Sequence, residues 1–366
     1  MKKFLAIVAL FLAPVALVVG VFAGAVYASG EWRTEEEIAG RVLAGEPAFL
    51  GLAYRDNTRY YKHLVASGKA AGLLVLGTSR SMQFHSEFFT SPSFYNAGGG
   101  ANYVHEYRFF LENLPEASLP DTLVLVLDQY FFQEGWSAAE TLPQLDYSHY
   151  PFNAGAALTR SLQDWAGGKY SLRAALAPAP NTYGMAAVGR GSGFYADGSY
   201  SYGRLLDHPE EGSDVAFHDS FDRIQRGVNR FEWAAEVYGP SLEEMDRLLA
   251  FCSGHGIRVA AVIPPYAPSV YLRMAESGNY GYLSLLPAAL RERFAPYGFE
   301  VFDFTYMPDT LDAEYLDGYH GGDRVYARLT LELAAQSSLL AGQIDTGYLT
   351  AALAPSGNPL RLASAG

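Results

Sequence analysis

Apolar residues in this chain fall into two alternating patterns. Leu73-Leu74-Val75-Leu76, Thr122 to Leu127 and Arg258 to Ile263 are continuous runs of strand length, closed by Gly77, Asp128 and Pro264-Pro265. A strand covered on both faces reads this way, because neither side of its pleat meets water. Phe94-Tyr95-Asn96 and Glu300 to Phe304 are shorter strand candidates. Between the runs the spacing turns helical: Tyr103, Tyr107, Phe110 and Leu114 share one face, with Pro115 beyond the end. Ser241 followed by Glu244 reads as a capping box opening a helix to Gly254 or Gly256, and further helices are expected at about 282–295 and from Arg324 to Leu340. Strands alternating with helices predict an α/β fold around a parallel sheet.

Two segments break the rhythm. Residues 133–240 are rich in Gly, Tyr and Trp, with helical spacing only at about 155–166 and 219–238, the latter carried by Phe221, Ile224, Val228, Phe231 and Ala235. This reads as an insertion capping the crevice; its aromatics suit sugar rings or the packing of a loop-rich subdomain. Residues 342–366 read as a flexible tail, and 31–71 as a membrane-proximal stalk with a helix leading into the first strand.

The first thirty residues change the setting. Lys2 and Lys3 precede an uncharged run from Phe4 to Tyr27, long enough at about 1.5 Å per residue to cross a hydrocarbon core of about 30 Å. Acids follow at Glu31 and Glu35 to Glu37, which predicts a cytoplasmic N-terminus and an exported remainder. A retained single-pass anchor and a signal peptide cleaved before Ser29 both fit, the run being longer than a usual signal core. The remaining length of the 366-residue chain accommodates one catalytic domain over about 72–341, interrupted by the insertion. A net charge of −13 excludes a phosphate-backbone binder, so no nucleic-acid partner is expected. The single cysteine, Cys252, lies in an apolar helical stretch and offers no disulfide or thiolate cluster; neither metal nor cofactor is expected.

Candidate chemistry collects at strand ends. Ser79 follows the first strand across Gly77-Thr78 and either caps a helix or presents its hydroxyl beside free backbone N–H groups. The turn Ala97-Gly98-Gly99-Gly100-Ala101-Asn102 lets backbone N–H groups approach an anion, or is a plain strand-to-helix turn. Asp317 and His320 share one short loop, the spacing in which one segment supplies a base and the carboxylate that orients it.

In the order Ser79, Gly98, Asp317, His320 the chain resembles the SGNH/GDSL hydrolase superfamily, in its exported DltD-like and alginate O-acetylation-like branch. The match covers about 72–130 and 240–340 and leaves the insertion unaccounted for. The resemblance implies a flavodoxin-like three-layer sandwich with Ser79 as nucleophile, His320 as general base and Asp317 as its orienting acid. It implies an oxyanion hole from the N–H groups of Ser79 and Gly98, with Gln129 in place of the missing Gly-x-Asn block. Thr78 stands where the family usually has aspartate, and Asp128-Gln129 where the asparagine should be. Arg80, Asn96 and Asp128 are candidate substrate contacts; Arg80 could hold an anionic group or pair with a crevice carboxylate.

The expected function is a membrane-anchored, extracytoplasmic serine acyltransferase or esterase acting on cell-surface polysaccharide and an acyl donor. A membrane-bound O-acyltransferase partner is implied by the resemblance alone. The alternative is a non-catalytic SGNH-like scaffold or binding subunit serving such a partner.

Overall fold

A computed structural model describes the chain except Asp56, residues 139–145, His149, Ser356 and residues 364–366. Its strands are β1 (Phe49–Leu50), β2 (Leu73–Gly77), β3 (Phe94–Gly98), β4 (Thr122–Val126), β5 (Thr182–Tyr183), β6 (Ser192–Phe194), β7 (Tyr200–Tyr202), β8 (Arg258–Ile263) and β9 (Glu300–Asp303). The chain divides into two units. The smaller contains Met1–Asn57, Ser148–Ala196 and Tyr200–Arg204; the larger contains Thr58–Tyr147, Asp197–Ser199 and Leu205–Gly366.

The larger unit is built on a five-stranded, all-parallel sheet in the order β3-β2-β4-β8-β9. Every residue of β2, β3 and β4 is buried, which is why their sequences are apolar without alternation. Leu73, Val75, Val124, Val126, Ala260 and Val262 face a core completed by Val325, Leu329 and Leu333 of the helix Asp323–Gln336 and by Val270 and Met274 of Pro268–Ser277. The strand order reverses between β2 and β4, and in open α/β sheets the crevice beyond such a point is where ligands bind.

Several elements differ from expectation. The helix expected over 219–238 is His218–Arg226, ended by Gly227 in the left-handed region (φ 63°), with Asn229 and Arg230 also at positive φ. Phe231 still reaches the core from this irregular segment. The helix before β8 starts at Gly239, and Ser241 forms no capping box; its hydroxyl donates to Phe131 O at 2.7 Å. The last sheet-covering helix stops at Gln336 rather than Leu340. The expected flexible tail contains the helix Thr346–Ala352, capped by Asp345 and buried through Leu349, with Leu360 buried beyond it.

The smaller unit has a mixed sheet, β5-β1-β6-β7, with β1 parallel to β5 and antiparallel to β6. The expected stalk is folded. Buried Glu31 accepts N–H groups of Ala53, Tyr54 and Met185, tying residues 31–54 to part of the insertion, while Thr58–Lys69 is a helix of the larger unit. Residues 133–240 are thus shared between the two units. The smaller unit begins with one helix, Lys2–Ala28, long and apolar enough to cross a membrane.

Candidate active site

Gly77 and Gly98 are register partners at the ends of β2 and β3. A Cβ on Gly77 would lie 2.8 Å from Ser81 Oγ, and one on Gly98 2.7 Å from the same atom, so the Ser79–Ser81 turn fits against the strand ends only because both are glycine. Thr78, not Ser79, caps this turn, its hydroxyl oxygen accepting Arg80 N–H at 3.1 Å. The Ser79 side chain takes no part in the cap and is half-buried.

Asp317 and His320 lie on a loop pinned on several sides. Leu316 N–H donates to His320 O at 2.8 Å, Tyr315 bridges Gly321, and Gly318 N–H reaches the Asp214 carboxylate at 3.2 Å. Asp317 Oδ1 accepts N–H from Tyr319 (3.0 Å) and His320 (2.8 Å), the local bonding that favours aspartate in turns. Its other oxygen, Oδ2, is 2.7 Å from His320 Nδ1, and His320 Nε2 is 2.8 Å from Ser79 Oγ. Sequence positions 241 apart therefore form a continuous Ser–His–Asp line, each link at hydrogen-bond length. Burial works against charge on Asp317, but the His320 charge, its ring and the two backbone N–H groups outweigh it and hold the carboxyl at a pKa of about 2.

Arg80 is not a substrate contact. Its side chain is fully buried; Nη1 donates to Asp128 Oδ1 and Gln129 Oε1, both at 2.7 Å, Nη2 to Pro264 O and Pro265 O, and Nε to Tyr319 O at 3.0 Å. Of the two roles read for it, pairing with a carboxylate is the one present. Because Arg80 follows Ser79 and bonds the carbonyl before His320, it ties the serine turn to the histidine loop. Asp128 is likewise spent internally, accepting also from Thr78 Oγ1 (2.6 Å) and Tyr130 OH (3.2 Å). Asn96 is buried, donating to Ser81 O and Phe84 O and accepting Gly98 N–H. Neither residue is placed to touch substrate.

Two expected oxyanion donors are also occupied. Gly98 N–H is bonded to Asn96 Oδ1 at 2.7 Å, and Gln129 Nε2 donates to Pro264 O (2.7 Å) and Thr305 Oγ1 (3.2 Å). The Ser79 N–H, at the head of its turn, has no acceptor among the described residues. Nor has the half-buried side-chain amide of Asn102, at the end of the glycine turn that donates Gly99 and Ala101 N–H to Gly77 O.

Sequence reasoning missed Arg230. Its guanidinium lies among three rings, 5.7 Å from the centre of Tyr130, 5.3 Å from Trp136 and 5.8 Å from Tyr319, and donates to Tyr319 OH at 3.1 Å. Tyr319 in turn packs on the His320 ring, centroids 4.5 Å apart. The adjacent acid, Glu232, is taken by Gln133, and among the described residues no carboxylate pairs with Arg230. The signal available in the sequence was Gly227, which ends the preceding helix and frees Arg230 to turn inward.

His85, Glu87 and Asp197 offer metal-ligand atoms within 4.8 Å of one another. Two of the three are engaged within the fold: His85 bonds Ser199 Oγ and Asp323, and Asp197 accepts from Ser86 and Ser199, while Glu87 is exposed. Cys252 is buried in its helix, and burial pushes its thiol up to about 12.

Comparison with protein-family models, curated proteins and solved structures gives no match to this chain.

Proposed function

We propose that this chain is an extracytoplasmic serine acyltransferase or esterase of SGNH-like type, acting on cell-surface polysaccharide. The observation that carries the reading is the 2.8 Å contact between Ser79 Oγ and His320 Nε2, with Asp317 on the other ring nitrogen. His320 takes the serine proton as Ser79 attacks an acyl carbonyl, and Asp317 fixes the tautomer and stabilises the imidazolium. The Ser79 N–H and the Asn102 amide are the donors left open for the tetrahedral oxyanion. Arg230, beside Tyr319 and without a carboxylate partner among the described residues, holds an anionic group of the substrate, the role Arg80 cannot fill.

The strand order 2-1-3-4-5 supports a flavodoxin-like, SGNH-like sandwich. The two departures from the family pattern compensate each other: Thr78 replaces aspartate while Asp128 replaces asparagine, and the Thr78 hydroxyl donates to the Asp128 carboxylate. A carboxylate at 78 would instead face the one at 128. An anchor at Lys2–Ala28 with a cytoplasmic N-terminus would hold the site outside the membrane, where a membrane-bound O-acyltransferase could supply acyl groups. The occupied Gly98 N–H and Gln129 amide favour the second reading, a non-catalytic scaffold, since they remove two expected donors.

A fluorophosphonate probe on the full-length protein in detergent separates the two. Wild type should label and Ser79→Ala should not; equal labelling, or none in either, would overturn the catalytic reading.

A further inference from the structure

The helix Lys2–Ala28 changes character along its length. From Phe4 to Leu17 its large apolar side chains are mostly bare, Leu10 at 77% and Phe11 at 82% exposed, whereas Phe22, Ala25 and Val26 are buried. Phe22 and Ala25 join Tyr170, Ala175 and Met185 in one apolar core, with Leu158 and Leu172 packed against it. Phe22 meets Trp165 edge to face, centroids 5.4 Å apart, and Gly24 lies against Leu176. The far end of the helix is therefore part of the folded unit. Cleavage before Ser29 would remove two of the five buried residues of this core and expose the rest, so the structure favours a retained anchor over a cleaved signal.

The helix also sets a ruler. Lys3 to Phe22 is 19 steps, about 28 Å at 1.5 Å per residue, close to the hydrocarbon thickness of a bilayer of about 30 Å. With Lys2 and Lys3 held at one headgroup layer, Phe22 arrives at the other. The helices packed there, Ala154–Ala166 and Leu172–Leu176, leave Leu162, Trp165 and Leu176 exposed by 41%, 43% and 47%. Arg160 and Arg173 are exposed on the same two helices. Just beyond, Tyr27 (69% exposed) stacks on Trp32, centroids 5.4 Å apart. Bare leucine and tryptophan with arginine nearby is the composition that settles at the boundary of acyl chains and headgroups.

We infer that residues 154–176 form a collar around the emerging helix and seat their exposed apolar side chains in the outer membrane–water interface. The occupant of this surface is lipid, because the patch is continuous with the bare helix Phe4–Val21, which only a hydrocarbon layer would cover along such a length. The collar restrains the tilt of the anchor and fixes the smaller unit against the bilayer rather than leaving it on a flexible tether.

Cys252 is the only cysteine and is buried, so a single introduced thiol can be labelled selectively. Full-length Leu162→Cys and Leu176→Cys proteins, spin-labelled and reconstituted in phosphatidylcholine–phosphatidylglycerol nanodiscs, are read by collision with oxygen and with a water-soluble nickel chelate. The collar predicts oxygen accessibility at least twofold above that of the chelate at both sites, with the reverse at a label on Arg247→Cys. Chelate accessibility equal to the Arg247 control, or labels shielded from both reagents as under a protein partner, overturns the proposal. Intact mass of membrane-extracted protein gives a separate check: loss of residues 1–28 would overturn it as well.

Discussion

Arg80 and Asp128 form an ion pair 2.7 Å long with both side chains completely buried, one residue from the serine and at the point where the sheet's strand order reverses. Three further carbonyls, of Pro264, Pro265 and Tyr319, use the remaining guanidinium donors, so the arginine joins β2, β4, the end of β8 and the histidine loop. Removing one partner of a buried pair leaves an uncompensated charge and costs about 3–5 kcal/mol. Asp128→Asn should therefore lower stability by that amount in urea denaturation. Arg80→Lys keeps the charge but not the fork of donors, and should reduce ester hydrolysis by more than its stability loss accounts for, because the Tyr319 carbonyl beside His320 is released. Equal activity per folded molecule in Arg80→Lys would contradict the positioning role.

The oxyanion assignment is separately testable. With the Gly98 N–H and the Gln129 amide engaged, Asn102→Ala removes one of the two donors proposed for the oxyanion and should lower kcat for p-nitrophenyl acetate by roughly 10²–10³ with little change in KM. Gln129→Ala should act on stability instead, since its amide bonds Pro264 O and Thr305. A kcat unaffected by Asn102→Ala would remove that side chain from the site.

Asp317 links the site to acid stability. Its carboxyl is held at about 2 against an ordinary value of 3.8, chiefly because the His320 charge and hydrogen bonds overcome the burial that opposes ionisation. A carboxyl depressed in the folded state stabilises the fold fully above its unfolded pKa and loses that contribution as pH falls through the folded one. The window is about pH 4 down to pH 2, and at roughly 1.4 kcal/mol per pKa unit the loss is up to about 2.5 kcal/mol. Wild type should exceed Asp317→Asn in stability at pH 5 and converge with it near pH 2; parallel curves would show that the carboxylate is not held as the geometry requires. The same variant should lose up to about 10⁴ in kcat by analogy with the Ser–His–Asp template.

The legible parts of this chain were those with a local cause. Strands such as Leu73–Leu76 and Leu123–Val126 announced themselves because a parallel strand buried on both faces must be apolar throughout. Ser79, Asp317 and His320 stood out because they follow strands, where a crevice opens. What pairs with Arg80 or Gly98 was not legible, since those partners are single residues from distant segments with no spacing to betray them. The tail misled through its small, polar composition, although Asp345 and Leu349 already carried a cap and a buried position. The 219–238 periodicity ran through Gly227 as if it were not there, and hid the segment that presents Arg230.

Arg230 supplies the last prediction. A guanidinium half-removed from water by three aromatic rings, donating to Tyr319 OH and with no carboxylate partner among the described residues, carries charge that a ligand anion can neutralise. Burial opposes that charge, but the hydroxyls of Tyr130 and Tyr319 and the nearby Asp128 hold its pKa above the ordinary value, so the site stays cationic at any working pH. A charge-assisted hydrogen bond is worth about 1.5–3 kcal/mol, which corresponds to roughly 10- to 150-fold in affinity. Arg230→Ala should therefore raise KM for an ester on a carboxylate- or phosphate-bearing saccharide by that factor while leaving p-nitrophenyl acetate, which has no anion to hold, within about threefold of wild type. Arg230→Lys should fall between, keeping the charge and losing the planar stack on the rings. Equal losses on both substrates would mean that Arg230 serves only to brace Tyr319 against His320.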